Sequence, residues 1–183
     1  MVEINIENMK RIVFVFAVMM LFAVVGCNRS AKTTENDVKK AEAALFNDDM
    51  TANAEAVPNA IATFVKYAEE NPEAKDAPDF LFKAIEVSIN TKQDAGQSID
   101  LVNRLVTTYP KFENNPVALF MLATFVYDEQ QHDFDKARAC YQQIINDYHD
   151  SPFAKDAAIS IEQLGVSPEE LIKIFEAQQE TEN

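Results

Sequence analysis

One apolar pattern in this chain returns after 38 and then 39 residues, and it constrains the fold more than any other feature. Ile61-x-x-Phe64-x-x-Tyr67-Ala68-x-x-Asn71-Pro72 matches Ile99-x-x-Val102-x-x-Leu105-Val106-x-x-Tyr109-Pro110. Both match Arg138-x-x-Tyr141-x-x-Ile144-Ile145-x-x-Tyr148-His149, and a small residue precedes each: Ala60, Ser98, Ala137. Apolar positions at i, i+3, i+6 and i+7 lie on one helical face. The stretch ahead of each also recurs, with Leu81 and Ala84 set against Phe120 and Ala123, and Ile159 next in line. Pro78, Pro116 and Pro152 stand near predicted helix starts, where a missing N–H costs little. The pattern predicts helix pairs at 36–47 with 58–71, 78–90 with 97–109, and 116–129 with 134–148, then helices at 152–164 and 168–179. Gly165 reads as the stop of the penultimate helix, and Ser167-Pro168-Glu169-Glu170 as a capping box opening the last. Three glycines in 183 residues leave little material for phosphate loops or Gly-rich β-turns. A repeated helix pair buries its face only by stacking on a neighbour, so the stripe residues are core candidates.

Leu122-Ala123, then Ala137, Tyr141, Ile144 and the Tyr148-His149 exit resemble a tetratricopeptide repeat, with a period longer than its usual length of about 34 residues. The resemblance covers 36–164 and implies an all-α, tetratricopeptide-like α-solenoid of about three helix pairs plus a C-terminal capping pair. The segment Phe134 to Ala157 is similar to units of the outer-membrane assembly lipoprotein of the β-barrel assembly machinery. It is also similar to units of the periplasmic coordinator of the Tol–Pal system.

The N-terminus reads as an address. Met9-Lys10-Arg11 precedes fourteen uncharged residues, Ile12 to Val25, which rise about 21 Å as a helix and fall short of a roughly 30 Å hydrocarbon core. That length fits a signal-peptide core, with Met9 as the expected start and 1–26 removed. Val24-Val25-Gly26-Cys27 resembles a bacterial lipobox, which implies acylation of Cys27 and a polar tether across 28–35 ahead of the helical domain at 36–183. Glu3, Glu7, Lys10 and Arg11 cancel, so the net charge of −14 stays with the mature chain. Such a balance excludes unaided nucleic-acid binding and electrostatic adhesion to anionic headgroups. Asn28 is not the Asp that retains some lipoproteins in the inner membrane, so the outer membrane, periplasmic side, is the expected location.

Catalytic signatures are absent: the sequence has no Gly-x-Gly-x-x-Gly, no phosphate loop, no His-Glu-x-x-His and no Cys-x-x-Cys. His132 and His149 lack a second His at ligand spacing, and no metal or cofactor is expected. With Cys27 acylated, Cys140 is the remaining thiol and reads as buried and inert. The acidic pairs Asp48-Asp49 and Glu69-Glu70 read as solvated faces. The resemblance places the first helix of each pair on a concave face. It implies a peptide groove of Leu81, Ile85 and Ser88 in the second unit and Phe120, Thr124 and Tyr127 in the third. The competing reading makes Leu81 and Phe120 packing between units. The sequence thus points to a lipid-anchored, non-enzymatic scaffold binding an envelope protein or peptide, with outer-membrane protein assembly as the implied role. The alternative is a periplasmic adaptor for cell-wall or division machinery; an enzyme is the least supported class.

Overall fold

The computed structural model describes residues 32–47, 49, 51–167, 170 and 172. Among them run seven α-helices: α1 (Glu35–Ala43), α2 (Val57–Glu70), α3 (Ala77–Asn90), α4 (Ala95–Thr108), α5 (Asn115–Met121), α6 (Phe134–Asp147) and α7 (Pro152–Gln163). A 3₁₀ turn (Ala54–Ala56) precedes α2, and α5 continues directly into a π-helical segment, Leu122–Asp128. Each helix packs on its neighbours in the chain, and α3 also meets α5, as α5 meets α7. The first helices of the pairs (α1, α3, α5, α7) therefore form one layer and the second helices (α2, α4, α6) the other. The result is an all-helical, solenoid-like stack.

Local chemistry explains the boundaries. Thr34 caps α1 in a reciprocal box with Asp37, while Asp94 and Asp133 cap α4 and α6 by accepting from Gln97 N and Lys136 N at 3.1 Å each. Pro58, Pro78, Pro116 and Pro152 occupy first-turn positions of α2, α3, α5 and α7. Gly96 falls inside the first turn of α4, not in the connecting turn. A Cβ there would meet the capping Asp94 Oδ1 at 2.8 Å, so glycine leaves the cap its room. Gly165 ends α7 at φ 77°, a conformation glycine adopts without strain. Ser167 and Glu170 exchange bonds as a capping box (Glu170 N to Ser167 Oγ 3.2 Å, Ser167 N to Glu170 Oε2 3.0 Å). The helix expected over 168–179 otherwise lies outside the described residues.

Two elements depart from expectation. Helix α1 stops at Ala43, not at 47, because the polar stretch after it finds better partners in a turn. Asn47 N donates to Thr51 O at 2.8 Å, Asn53 N to Leu45 O at 2.8 Å, and Thr51 N to Asp49 Oδ1 at 3.0 Å, which brings Phe46 opposite Ala52. The second departure is the π segment, expected as ordinary α-helix over 116–129. Its closures include Glu129 N to Thr124 O, and Gln131 N to Val126 O follows with the same i→i+5 span, both at 3.0 Å.

Burial corrects the repeat alignment. Ala77, Phe80, Leu81, Ala84, Ile85, Ser88 and Ile89 map onto Asn115, Ala118, Leu119, Leu122, Ala123, Val126 and Tyr127 at a constant offset of 38, and all fourteen are buried. Leu81 thus corresponds to Leu119, one residue before the Phe120 expected from sequence. On the second helices, Ala60, Phe64 and Tyr67 map onto Ser98, Val102 and Leu105 at 38, then onto Ala137, Tyr141 and Ile144 at 39. The interval from helix start to helix start is 18 residues in the second pair and 19 in the third. The extra residue therefore enters between α5 and α6, where i→i+5 closure holds one more residue per turn than i→i+4. Ala137 is fully buried at a helix crossing. Ala137→Leu is expected to overpack it and lower stability by about 1–3 kcal/mol in a denaturant titration; an unchanged midpoint would refute the close approach.

A hydrogen-bond ladder links successive units. Asn71 Nδ2 donates to Thr33 O (3.3 Å), the Tyr109 hydroxyl to Pro72 O (3.3 Å) and the Tyr148 hydroxyl to Pro110 O (3.5 Å). These partners are 38, 37 and 38 residues apart, so the repeat period is written into the exits of α2, α4 and α6. Thr33 N also donates to Glu70 Oε2 at 2.5 Å, which draws the supposed tether into the fold two residues before α1. Asn115, fully buried, joins two exits by donating to Tyr109 O (2.8 Å) and to the Tyr148 hydroxyl (3.2 Å).

Candidate functional site

The six residues expected to line a peptide groove fall into two groups. Leu81, Ile85 and Ser88 are at most 1 % exposed, and the Ser88 and Ser98 hydroxyls pair at 2.7 Å inside the stack. Ile85 and Ser88 face the interior of the stack, while Leu81 reaches the wall of a cavity between α2 and α4. Tyr127 is also buried, and Lys136 Nζ sits 5.6 Å from its ring centre. Thr124 is half-buried, with its Oγ1 2.8 Å from the Tyr141 hydroxyl. Phe120 is half-buried between units, its ring centre 5.3 Å from that of Tyr141 and 5.6 Å from that of Phe153. The ring contacts of Phe120 agree with the competing interpretation of that residue as packing between units. Cys27 lies outside the described residues.

Apart from Leu81, the open volume is lined by other residues. A trough runs between α2 and α4, on the second-helix layer. Its larger part, about 510 Å³, is lined by Ile61, Val65 and Leu101, with Asp94 and Asp100 also in its lining. A second part of about 290 Å³ continues past Ala68 to Pro72 and Tyr109. Arg104 lines both and bridges the trough through an ion pair with Glu69. Both side chains are about half exposed, so the pair contributes little to stability and gives way readily. A third cavity, about 370 Å³, opens where the end of α3 faces the π segment.

The chemistry on offer is sparse. Among the described residues no three His, Cys, Asp or Glu side chains converge as metal ligands would, and no helix is long and apolar enough to cross a membrane. Cys140 is half-buried, less enclosed than the sequence suggested, yet burial pushes its thiol up to about 11. At neutral pH it is protonated and a poor nucleophile. His149 approaches Asp150 at 3.5 Å with both side chains largely exposed. His132 occupies a left-handed turn at φ 54°. The carboxylates with lowered pKa, Asp37, Asp49, Asp133 and Glu170, are all held down chiefly by hydrogen bonds from residues two or three away, the signature of caps and turns.

The chain matches no protein-family model, and no curated protein or solved structure is significantly similar to it. The residues themselves therefore carry the functional argument.

Proposed function

We propose that this chain is a lipid-anchored, non-enzymatic interaction scaffold of the bacterial envelope, a tetratricopeptide-like lipoprotein acting in outer-membrane protein assembly. The observation that carries the reading is the order of parts: Lys10-Arg11, an apolar run and Gly26-Cys27 directly precede a stack of repeated helix pairs. The first is the chemistry of export and acylation, and the second is an architecture whose repeated faces suit extended partner surfaces. The specific role in assembly rests on the resemblance of Phe134 to Ala157 to units of the assembly lipoprotein. The absence of a catalytic motif from the sequence agrees with a binding role.

Photocrosslinkers placed in cells at Ala62, exposed on α2 beside the trough, and at Phe125, exposed on the π segment, test the proposal. Capture of β-barrel assembly components is the expected result. Capture of cell-wall or division components instead would replace the assembly role with the adaptor role. Capture of no envelope protein at either position would overturn the scaffold.

A further inference from the structure

The π segment is more than an irregularity. It takes up the one residue by which the third pair exceeds the second, and the 370 Å³ cavity lies against it. At the offset of 38, Phe125 corresponds to Val87, which is half-buried, whereas Phe125 is 44 % exposed. A large aromatic ring held that far into solvent on a well-packed helix gains little from burial, so its position is not explained by the core. Turns closed i→i+5 are rare and recur at functional sites.

The cavity has a sorted lining. Ile89, Val126 and Phe125 supply apolar wall, and Asn90, Gln93 and Gln130 supply three carboxamides around it. Each carboxamide offers both donors and an acceptor, the complement of a peptide main chain with its alternating N–H and C=O. Lys92 and Glu129 stand on the rim with opposite charges, so the site has no net charge with which to select a phosphate or a polycation. The volume of about 370 Å³ accepts one large side chain with its adjoining backbone.

We infer that the cavity between the end of α3 and the π segment binds an extended peptide segment of a partner protein, anchored by one bulky apolar side chain. The anchor packs on Phe125, Ile89 and Val126, while Asn90, Gln93 and Gln130 hold the backbone on either side. This assignment deepens the scaffold reading and rests on it for the ligand's being a protein. It places the binding surface at the turn end of the pairs.

The chain contains no tryptophan, so Phe125→Trp places a single fluorophore at the mouth of the cavity. The probes are capped five-residue peptides that differ only in a central phenylalanine, leucine or alanine, titrated into the full chain in detergent micelles. The expected result is a saturable blue shift with the phenylalanine and leucine peptides, and binding at least about tenfold weaker with alanine. A Phe46→Trp control, on the distant turn after α1, is expected to stay unchanged. Calorimetry on the native chain supplies a label-free check: Phe125→Ser, a change at an exposed position, is expected to weaken binding about tenfold without altering the melting temperature. Equal response to all three peptides, a response at Phe46→Trp, or undiminished binding by Phe125→Ser would overturn the assignment. Because the titration does not depend on acylation, an unmodified Cys27 would defeat the anchoring proposal and leave this one standing. A silent Phe125 site in a correctly acylated protein would do the reverse.

Discussion

Replacing Tyr141 with alanine is expected to cost about 3–5 kcal/mol of stability, the largest effect of any single side chain in the stack. Tyr141 is 2 % exposed, lies against the Phe120 ring, and meets Thr124 Oγ1 at 2.8 Å. Truncation empties the volume of a ring at the junction of α5, the π segment and α6, and leaves Thr124 without its partner. At about 2–4 °C per kcal/mol for a chain of this size, the melting temperature should fall by roughly 10 °C. Tyr141→Phe keeps the ring and loses only the hydroxyl contact, so about 1 kcal/mol is expected. Because stability in stacked repeats resides in neighbour contacts, hydrogen exchange in Tyr141→Ala should accelerate first in α5 to α7 and last in α2 and α3. Equal losses for the two substitutions, or uniform acceleration along the chain, would contradict this account.

Replacing Cys27 with serine is expected to abolish fatty-acid incorporation completely. The proposed modification is made on a thiol, and serine has none. Each buried CH₂ contributes about 0.8 kcal/mol of membrane affinity, so two or three acyl chains separate a firmly held protein from a released one. The acidic surface adds nothing, because a chain at −14 is repelled by anionic lipid. Labelled fatty acid and the intact mass of the membrane-extracted protein measure the outcome. Label retained by the serine variant, or a native protein with unmodified Cys27, would remove the anchor from the proposal.

The helices were legible because their punctuation is chemical and local. Pro58, Pro78, Pro116 and Pro152 open helices, Asp94 and Asp133 cap them, and Gly165 closes one. Repetition supplied the rest: a stripe seen once could be a strand or a helix, but a stripe returning at 38 and 39 must stack. Two features escaped. No residue type marks an i→i+5 turn, and the residues of the π segment read as ordinary helix formers. Its trace was nonetheless present, in the change of period from 38 to 39 between Ser98 and Ala137. The same change, applied one helix too early, matched Leu81 with Phe120 when its structural counterpart is Leu119. The burial of Leu81, Ile85 and Ser88 was not legible for a different reason. Whether Leu81 or Ile85 meets solvent depends on how closely α3 is flanked in the stack, and a single helix's sequence holds no information about that distance.

The bond from Asn71 to Thr33, first rung of the ladder, has a consequence for reach. It carries Thr33, part of the polar run expected as a tether across 28–35, into the fold, so that run is not a tether over its whole length. Six residues extend about 20 Å at most. If Cys27 is acylated as proposed, chain length alone sets that limit on its distance from Thr33.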